Sequence, residues 1–425
     1  MGSEQATGSA RDDAPTSGLA WVGKLLLAGD AREGDVVVAG SPPPGYRSVL
    51  GFRALPNARH PYLLMPLDSR AAAAGSVHHI GNPLKRSMRL AETALSLSFQ
   101  VGVGQRMLNQ QLHVCVPQGT PLDVPTLIDR ARDLVGRSDL TAAVILGRDR
   151  PNRKPVLKLL GPDGEPVAFA KVGWNEVSRS LVRHEAEVLS ELDTPQRRPS
   201  SFQVPRVIAF DQGDDVDLLL VTPVLQATGL RGGPPSDVPM RATREVAVGA
   251  GVTWSPLADS DYWASVRRRT EIAERDHANP VRSEHAQAFE GLERAYASRD
   301  VPFGSWHGDW TPWNMTRVDG SLFVWDWERA EGPVPIGLDL VHFDFDVRVK
   351  IHGHSPARAI DESLLELGPR LEALGLPSGL THLIVSLHLL EMTLRFQEAK
   401  AQGVDVADSI YGPALRAVLA SRAAA

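Results

Sequence analysis

Five side chains have the types and spacing to do chemistry. His307-Gly308-Asp309 is followed by Asn314, five residues after the aspartate, and Asp326 closes the run Leu322-Phe323-Val324-Trp325-Asp326. A carboxamide beside a carboxylate offers the oxygen ligands a hard cation such as Mg²⁺ takes, with phosphate oxygens completing its shell. Asp309, in the loop before them, is a candidate to accept a proton from an attacking hydroxyl. Lys171 and Glu185 lie upstream. Alternation in Pro166–Val172 puts Val167, Phe169 and Lys171 on one strand face. Glu185 falls within the helical apolar stripe Val177, Leu181, Val188, Leu189 and Leu192, whereas Glu187 is turned about 200° away. A carboxylate on a buried face needs a partner, because unpaired burial costs several kcal/mol. Lys171 is the candidate, and the pair would hold an ammonium against nucleotide phosphates. Lysine is scarce here, at positions 24, 85, 154, 158, 171, 350 and 400, so a lysine on an apolar strand invites a question.

These residues meet only if the elements carrying them bring them together. Met315–Val318 and Ser321–Trp325 flank Asp319-Gly320, a two-residue hairpin signal. Pairing Val318 with Ser321 sets Asn314 opposite Trp325 and Asp326 opposite Trp313, at a strand separation of roughly 5 Å. Strict alternation would leave the two polar side chains on opposite faces. They meet only if Asn314 ends the preceding loop or Asp326 leaves the strand. Upstream, strands are expected at Ala142–Leu146, Pro155–Leu160 and Pro166–Val172, with Gly161-Pro162-Asp163-Gly164 turning between the last two. A helix from Glu176 to Leu192 follows, then strands Val204–Phe210 and Asp217–Val221. Another helix runs to Val135, starting either near Thr120 or at Pro125 with Asp123 as its cap.

Before these come short strands at Asp35–Ala39, Tyr62–Met65 and Gln111–Pro117 and a helical pattern over Asn82–Phe99. Residues 227–260, rich in Gly, Pro and Ser, read as a loop or insertion. Helices follow at Tyr262–Arg275, Ser283–Ser298, Asp361–Leu374, Leu380–Gln402 and Ala414–Arg422. Strands first and helices afterwards indicate an α+β chain with two lobes.

Lysine on a third strand, glutamate on the next helix, then HGDxxxxN and a later aspartate followed by an aromatic residue together resemble the aminoglycoside phosphotransferase and choline kinase family. The resemblance spans roughly residues 120–425. It implies a bilobal protein-kinase-like fold, with a small antiparallel-sheet N-lobe and a mainly helical C-lobe. It also implies ATP- and Mg²⁺-dependent transfer of a phosphoryl group to a small-molecule hydroxyl, with an aminoglycoside-, choline- or sugar-like acceptor. Asp309 would then be the catalytic base, and Asn314 and Asp326 the metal ligands. Lys171 would contact the nucleotide phosphates and Glu185 would orient it. Asp339, in Gly337-Leu338-Asp339-Leu340, would brace the catalytic loop, and Val221–Gln226 would be the hinge beside the adenine. His307 reads as a structural histidine holding that loop. Two departures stand out: the turn Gly147–Lys154 is not glycine-rich, and Phe169 is bulky where a small residue is usual.

The expected organisation is a disordered tail over 1–17, an additional α+β segment of unassigned role over 18–118, a kinase-like N-lobe over 119–226 and a helical C-lobe over 227–425. No protein partner of the 18–118 segment can be named. Composition narrows the rest. With 45 basic and 51 acidic residues in 425, net −6, the chain lacks the basic surplus of a nucleic-acid binder. The longest apolar run, Leu383–Leu390, is broken by Ser386 and His388, too short to span a membrane. Cys115 is the single cysteine, so no intrachain disulfide forms. A soluble, cytoplasmic protein is expected. The rival reading is a non-catalytic nucleotide-binding pseudokinase or scaffold acting through its N-terminal segment.

Overall fold

The structure is a computed structural model, and it describes residues 19–27, 36–77, 86–121, 125–147, 154–224, 233–275, 283–402 and 410–423. The expected tail, most of the 147–154 turn and the end of the expected hinge lie outside the described residues.

The first part of the chain runs through α1 (Ala20–Leu26), β1 (Val37–Ala39), β2 (Tyr46–Leu55) and β3 (Leu63–Pro66). Three helices follow, α2 (Arg70–Val77), α3 (Arg86–Gln100) and the short α4 (Gly104–Met107), and then β4 (Gln111–Pro117). Next come α5 (Leu127–Val135), β5 (Thr141–Ile145), β6 (Val156–Leu160) and β7 (Pro166–Gly173). Finally α6 (Glu176–Leu192) leads to β8 (Val207–Gln212) and β9 (Asp217–Val221). These strands make one antiparallel sheet, ordered β1-β4-β2-β3-β5-β6-β7-β9-β8.

Inside it, β5-β6-β7-β9-β8 with α6 crossing between β7 and β8 is the small lobe the sequence led us to expect. Its outer strand β5 continues the sheet through Leu63↔Ile145 and Leu64↔Val144 to β3. One core spans the joint: Leu26, Phe52 and Val114 pack with Leu157, Ala168, Ala170 and Leu218. The alternate face of β7 carries Lys171.

Two sequence expectations are corrected here. The segment before Gly119 holds a ten-residue strand, Tyr46–Leu55, which the scattered Gly and Pro around it concealed. Helix α5 begins at Leu127, neither near Thr120 nor behind an Asp123 cap. Thr126 accepts from the Asp129 N–H while Asp129 accepts from the Thr126 N–H, a reciprocal cap that outcompetes a start at either proline.

Helix α2 docks on the β6–β7 turn by close backbone approach. A Cβ on Gly75 would overlap the Gly164 carbonyl oxygen, and one on Gly164, whose φ is +82°, would overlap the Ala71 carbonyl. Lys158, fully buried on the apolar strand β6, donates to the Gly75 carbonyl at 2.6 Å. A cation at a helix C-terminus satisfies a carbonyl the helix leaves open. Burial lowers this ammonium to a pKa of about 7.

The second part comprises α7 (Met240–Val248), β10 (Thr253–Pro256), α8 (Asp261–Arg275), α9 (Glu284–Tyr296) and β11 (Asp300–Trp306). The hairpin β12 (Met315–Val318) and β13 (Ser321–Val324) is followed by β14 (Glu331–Pro335) and α10 (Leu338–Asp346). A π-helical turn, Val347–Ile351, extends α10. The chain then forms α11 (Pro356–Glu366), α12 (Gly368–Ala373), α13 (Thr381–Ala401) and α14 (Tyr411–Ala423).

The expected loop over 227–260 therefore contains a helix and a strand. Ala242, Val246 and Ala247 form a short buried stripe that the flanking Gly and Pro disguised. The expected single helix Asp361–Leu374 is two, broken at Leu367, because Pro369 in the first turn of α12 lacks a donor. Helix α10 was not anticipated. A separate core joins the two parts: Val182, Leu189 and Leu219 pack on Trp310, Met315, Val324 and Trp327. Among the described residues no helix is long and apolar enough to cross a membrane.

Gly75→Ala should lower stability by about 2 kcal/mol or more, because the backbone contact must open. Gly291→Ala, in open space within α9, should be neutral or gain about 0.5–1 kcal/mol. Thermal denaturation of both variants measures the contrast, and equal melting temperatures would refute the docking argument.

Candidate active site

The loop after β11 is built on a carboxylate. Asp339, near the start of α10, accepts the N–H of His307 at 2.7 Å and of Gly308 at 3.1 Å. Gly308 has φ +78°, and a Cβ there would overlap the Arg329 carbonyl, so only glycine fits. His307 is fully buried and uses both ring nitrogens. Nδ1 accepts from the Asp309 N–H at 3.2 Å, and Nε2–H donates to the Trp325 carbonyl at 3.0 Å. Those partners fix the neutral Nε2–H tautomer. Trp310 and Trp327 pack edge-on against the ring, with centroids 5.5 and 4.6 Å away. From the helical part, Arg395 on α13 donates to the Gly308 carbonyl at 2.8 Å.

Asp309 projects from this loop. Its Oδ2 accepts from the Asn314 amide at 2.8 Å, and the same amide donates to the Asp309 carbonyl at 3.0 Å. His342 Nε2 stands 3.3 Å from Asp309 Oδ1. Burial pushes the Asp309 carboxyl up, but His342 outweighs it and holds the group below its ordinary range.

Asn314 ends a 3₁₀ turn, Pro312–Asn314, and its carbonyl accepts the Trp325 N–H at 3.1 Å. The hairpin pairs Val318 with Ser321 and Met315 with Val324. Asp326 then leaves the strand with φ +70°, a left-handed conformation that costs a non-glycine residue energy. Both exceptions to strict alternation named from the sequence are present.

The second cluster joins the sheet to this loop. Lys171 Nζ lies 2.6 and 2.7 Å from the two oxygens of Glu185 and 2.8 Å from Asp326 Oδ1. Glu185, 1% exposed, also accepts the Trp327 N–H at 3.2 Å. Glu187 is exposed. Burial pushes the Asp326 carboxyl up, but the charges of Lys171 and Lys154 overcome it and hold it well below the usual range. Burial likewise disfavours the Lys171 ammonium, and Asp326 and Glu185 reverse this to raise its pKa. Lys154, at the entry to β6, pairs with Glu328, and burial brings it down to about 8. Glu185, Asp326 and Glu328 each offer an oxygen within 4.8 Å of the others. An all-oxygen donor set of this kind suits a hard divalent cation.

The two clusters gather every residue singled out in the sequence: Lys171, Glu185 and Asp326 in one, His307, Asp309, Asn314 and Asp339 in the other. The Trp325 carbonyl on His307 ties them together. Sequence reasoning missed Lys154, Glu328, Arg395 and His342. For His342 a signal existed, since Asp339, His342 and Asp346 recur at helical spacing in a run that is apolar apart from them and Asp344. His352 and His354, two apart in the sequence, belong to no group of three potential metal ligands among the described residues, and His354 Nδ1 lies 2.9 Å from Glu362.

An antiparallel sheet with one inserted helix, followed by a helical part that carries an acid-bearing loop, is a two-lobed α+β architecture. No family model matches the chain, and no curated protein does. Similar solved structures include choline kinase LicA from Streptococcus pneumoniae, 12% identical, covering 70% of this chain and 98% of that one, with TM-score 0.44. Another is a thermostable mutant of aminoglycoside phosphotransferase APH(4)-Ia, 14% identical, covering 69% and 99%, with TM-score 0.46. A thermostable mutant of that phosphotransferase is also solved in a ternary complex with ADP and hygromycin B, 15% identical, covering 68% and 98%, with TM-score 0.41.

Asp339→Ala strands two buried N–H donors and should cost about 2–4 kcal/mol in urea denaturation. Asp339→Asn, which keeps an acceptor oxygen, should lose less. The depressed Asp326 carboxyl also makes a pH prediction. Its contribution to stability is full above its unfolded pKa of about 4 and is lost as pH falls through the lower folded value. Asp326→Asn should therefore flatten the decline in stability below about pH 4, measured by denaturation across that range.

Proposed function

We propose that this chain is an ATP- and Mg²⁺-dependent phosphotransferase that moves the γ-phosphoryl group to a hydroxyl of a small molecule. The observation that carries this reading is the Asp309 carboxylate, ionised and held by Asn314, beside the Lys171–Glu185–Asp326 array. Lys171, fixed by Glu185, would bind nucleotide phosphate oxygens, with Lys154 as a second cation nearby. Asp326 and Asn314 would hold the metal, with Glu328 within reach. Bound Mg²⁺ supplies neutralisation of the β- and γ-phosphate charge. Asp309 orients the acceptor hydroxyl and takes its proton as the oxygen bonds to the γ-phosphorus and the bond to the β-phosphate oxygen breaks, releasing ADP. Positioning and electrostatics would do most of this work. An alcohol of the aminoglycoside, choline or sugar kind is the acceptor class that follows from the sequence resemblance.

The test is label transfer from γ-labelled ATP to a panel of such alcohols, with Mg²⁺ present. Asp309→Asn should lose about 10³-fold or more in turnover while nucleotide affinity changes by less than about threefold. Asp326→Asn should abolish the Mg²⁺ dependence of nucleotide binding, read by calorimetry. Nucleotide binding without transfer across the panel would favour the non-catalytic binding module instead.

A further inference from the structure

We propose that His342 positions the Asp309 carboxylate, its Nε2–H fixing one oxygen while the Asn314 amide fixes the other. The inference rests on the reading above, in which Asp309 takes the acceptor's proton. His342 lies on α10, 4% exposed, one turn beyond the aspartate that braces the loop. Its Nε2 is 3.3 Å from Asp309 Oδ1 and 3.7 Å from Asp346 Oδ2. A nitrogen between two carboxylate oxygens must carry hydrogen, since a lone pair there would face negative charge on both sides.

Packing alone does not explain this imidazole. Neither ring nitrogen makes a well-angled hydrogen bond among the described residues. An idle buried polar group costs free energy that a leucine would not. The surroundings are arranged to hold the ring rather than to satisfy it. Asp346, behind it, is fixed by Lys350 Nζ at 2.6 Å and the Tyr411 hydroxyl at 3.1 Å. His388, fully buried on α13, stands edge-on to it at 5.1 Å between centroids. Burial above all, with the nearby cations Arg395 and Lys350, keeps His388 neutral, so it adds no competing charge. The Asn314 amide is bonded to one Asp309 oxygen and His342 Nε2 stands 3.3 Å from the other, near enough to donate once the carboxylate turns toward it. The remaining lone pairs are left for the acceptor hydroxyl. Among the described residues no hydrogen bond or ion pair joins His342 to Lys171 or Asp326, whose partners are Glu185 and each other, so its role separates from nucleotide binding.

The experiment compares His342→Leu and His342→Gln in the full chain, using the acceptor identified by label transfer. Hydrolysis of Mg·ATP, with water as acceptor, serves until one is identified. Leucine should cut kcat about 30-fold while the KM for ATP and the calorimetric nucleotide affinity stay within twofold. Glutamine, whose amide can donate in place of Nε2–H, should recover to within about fivefold of the native rate. In an Asp309→Asn background, His342→Leu should have no further effect. If leucine leaves the chain unfolded, His342→Met takes its place in the comparison. Native kcat in a folded His342→Leu, or equal loss in the leucine and glutamine variants, would overturn the positioning role. An active Asp309→Asn would instead overturn the phosphotransfer reading beneath it, so the two failures remain distinct.

Discussion

One ammonium, that of Lys171, ties the two parts of this protein together. Lys171 comes from the sheet, Glu185 from α6 and Asp326 from the end of the hairpin, and all three meet within hydrogen-bond distance. Removing such charges from water is expensive, and their mutual attraction offsets the cost only when the geometry is good and the remaining oxygens are satisfied. Glu185 meets that condition by also accepting the Trp327 N–H. The result is a contact that is costly to break and fussy about distance. It therefore specifies how the lobes approach rather than merely adding stability. The apolar core around Val182, Trp310 and Trp327 also joins the two parts.

The loop bearing Asp309 is fixed by a different means, the satisfaction of backbone polar groups. Asp339 takes two N–H donors, His307 takes a third and gives its own proton to the hairpin, and Arg395 takes the Gly308 carbonyl. Each bond is modest, yet leaving any of these buried groups unpaired is not. The loop therefore has one arrangement available, and Asp309 inherits a fixed origin. That is the preorganisation a proton-accepting carboxylate needs, since it pays no reorganisation cost at the moment of reaction.

The strands of residues 37–117 belong to the same sheet as those of 141–221 and share its core. Their helix α2 reaches the β6–β7 turn so closely that two facing glycines are required, and Lys158 ties the helix end to the strand beneath. The first hundred residues thus contact β6, the strand next to the one that carries Lys171.

Much of this was legible in the chain itself. The bounds of helix α6 and strands β4 and β9 follow from the sequence to the residue because their patterns are strong and bounded by polar caps or turns. The hairpin register followed from Asp319-Gly320, and Glu185 was recognised as inward-facing from its place in an apolar stripe. Local chemistry decides such things, so sequence suffices. Where Gly and Pro crowd a segment, as around Tyr46–Leu55 and Met240–Val248, the periodic signal drowns and only packing reveals the element. The left-handed turn at Asp326, the placement of His342 between two acids, and the pairing of Lys154 with Glu328 depend on residues far apart in the chain. No local preference encodes those meetings, because the energy that selects them arises only when distant surfaces close and expel water.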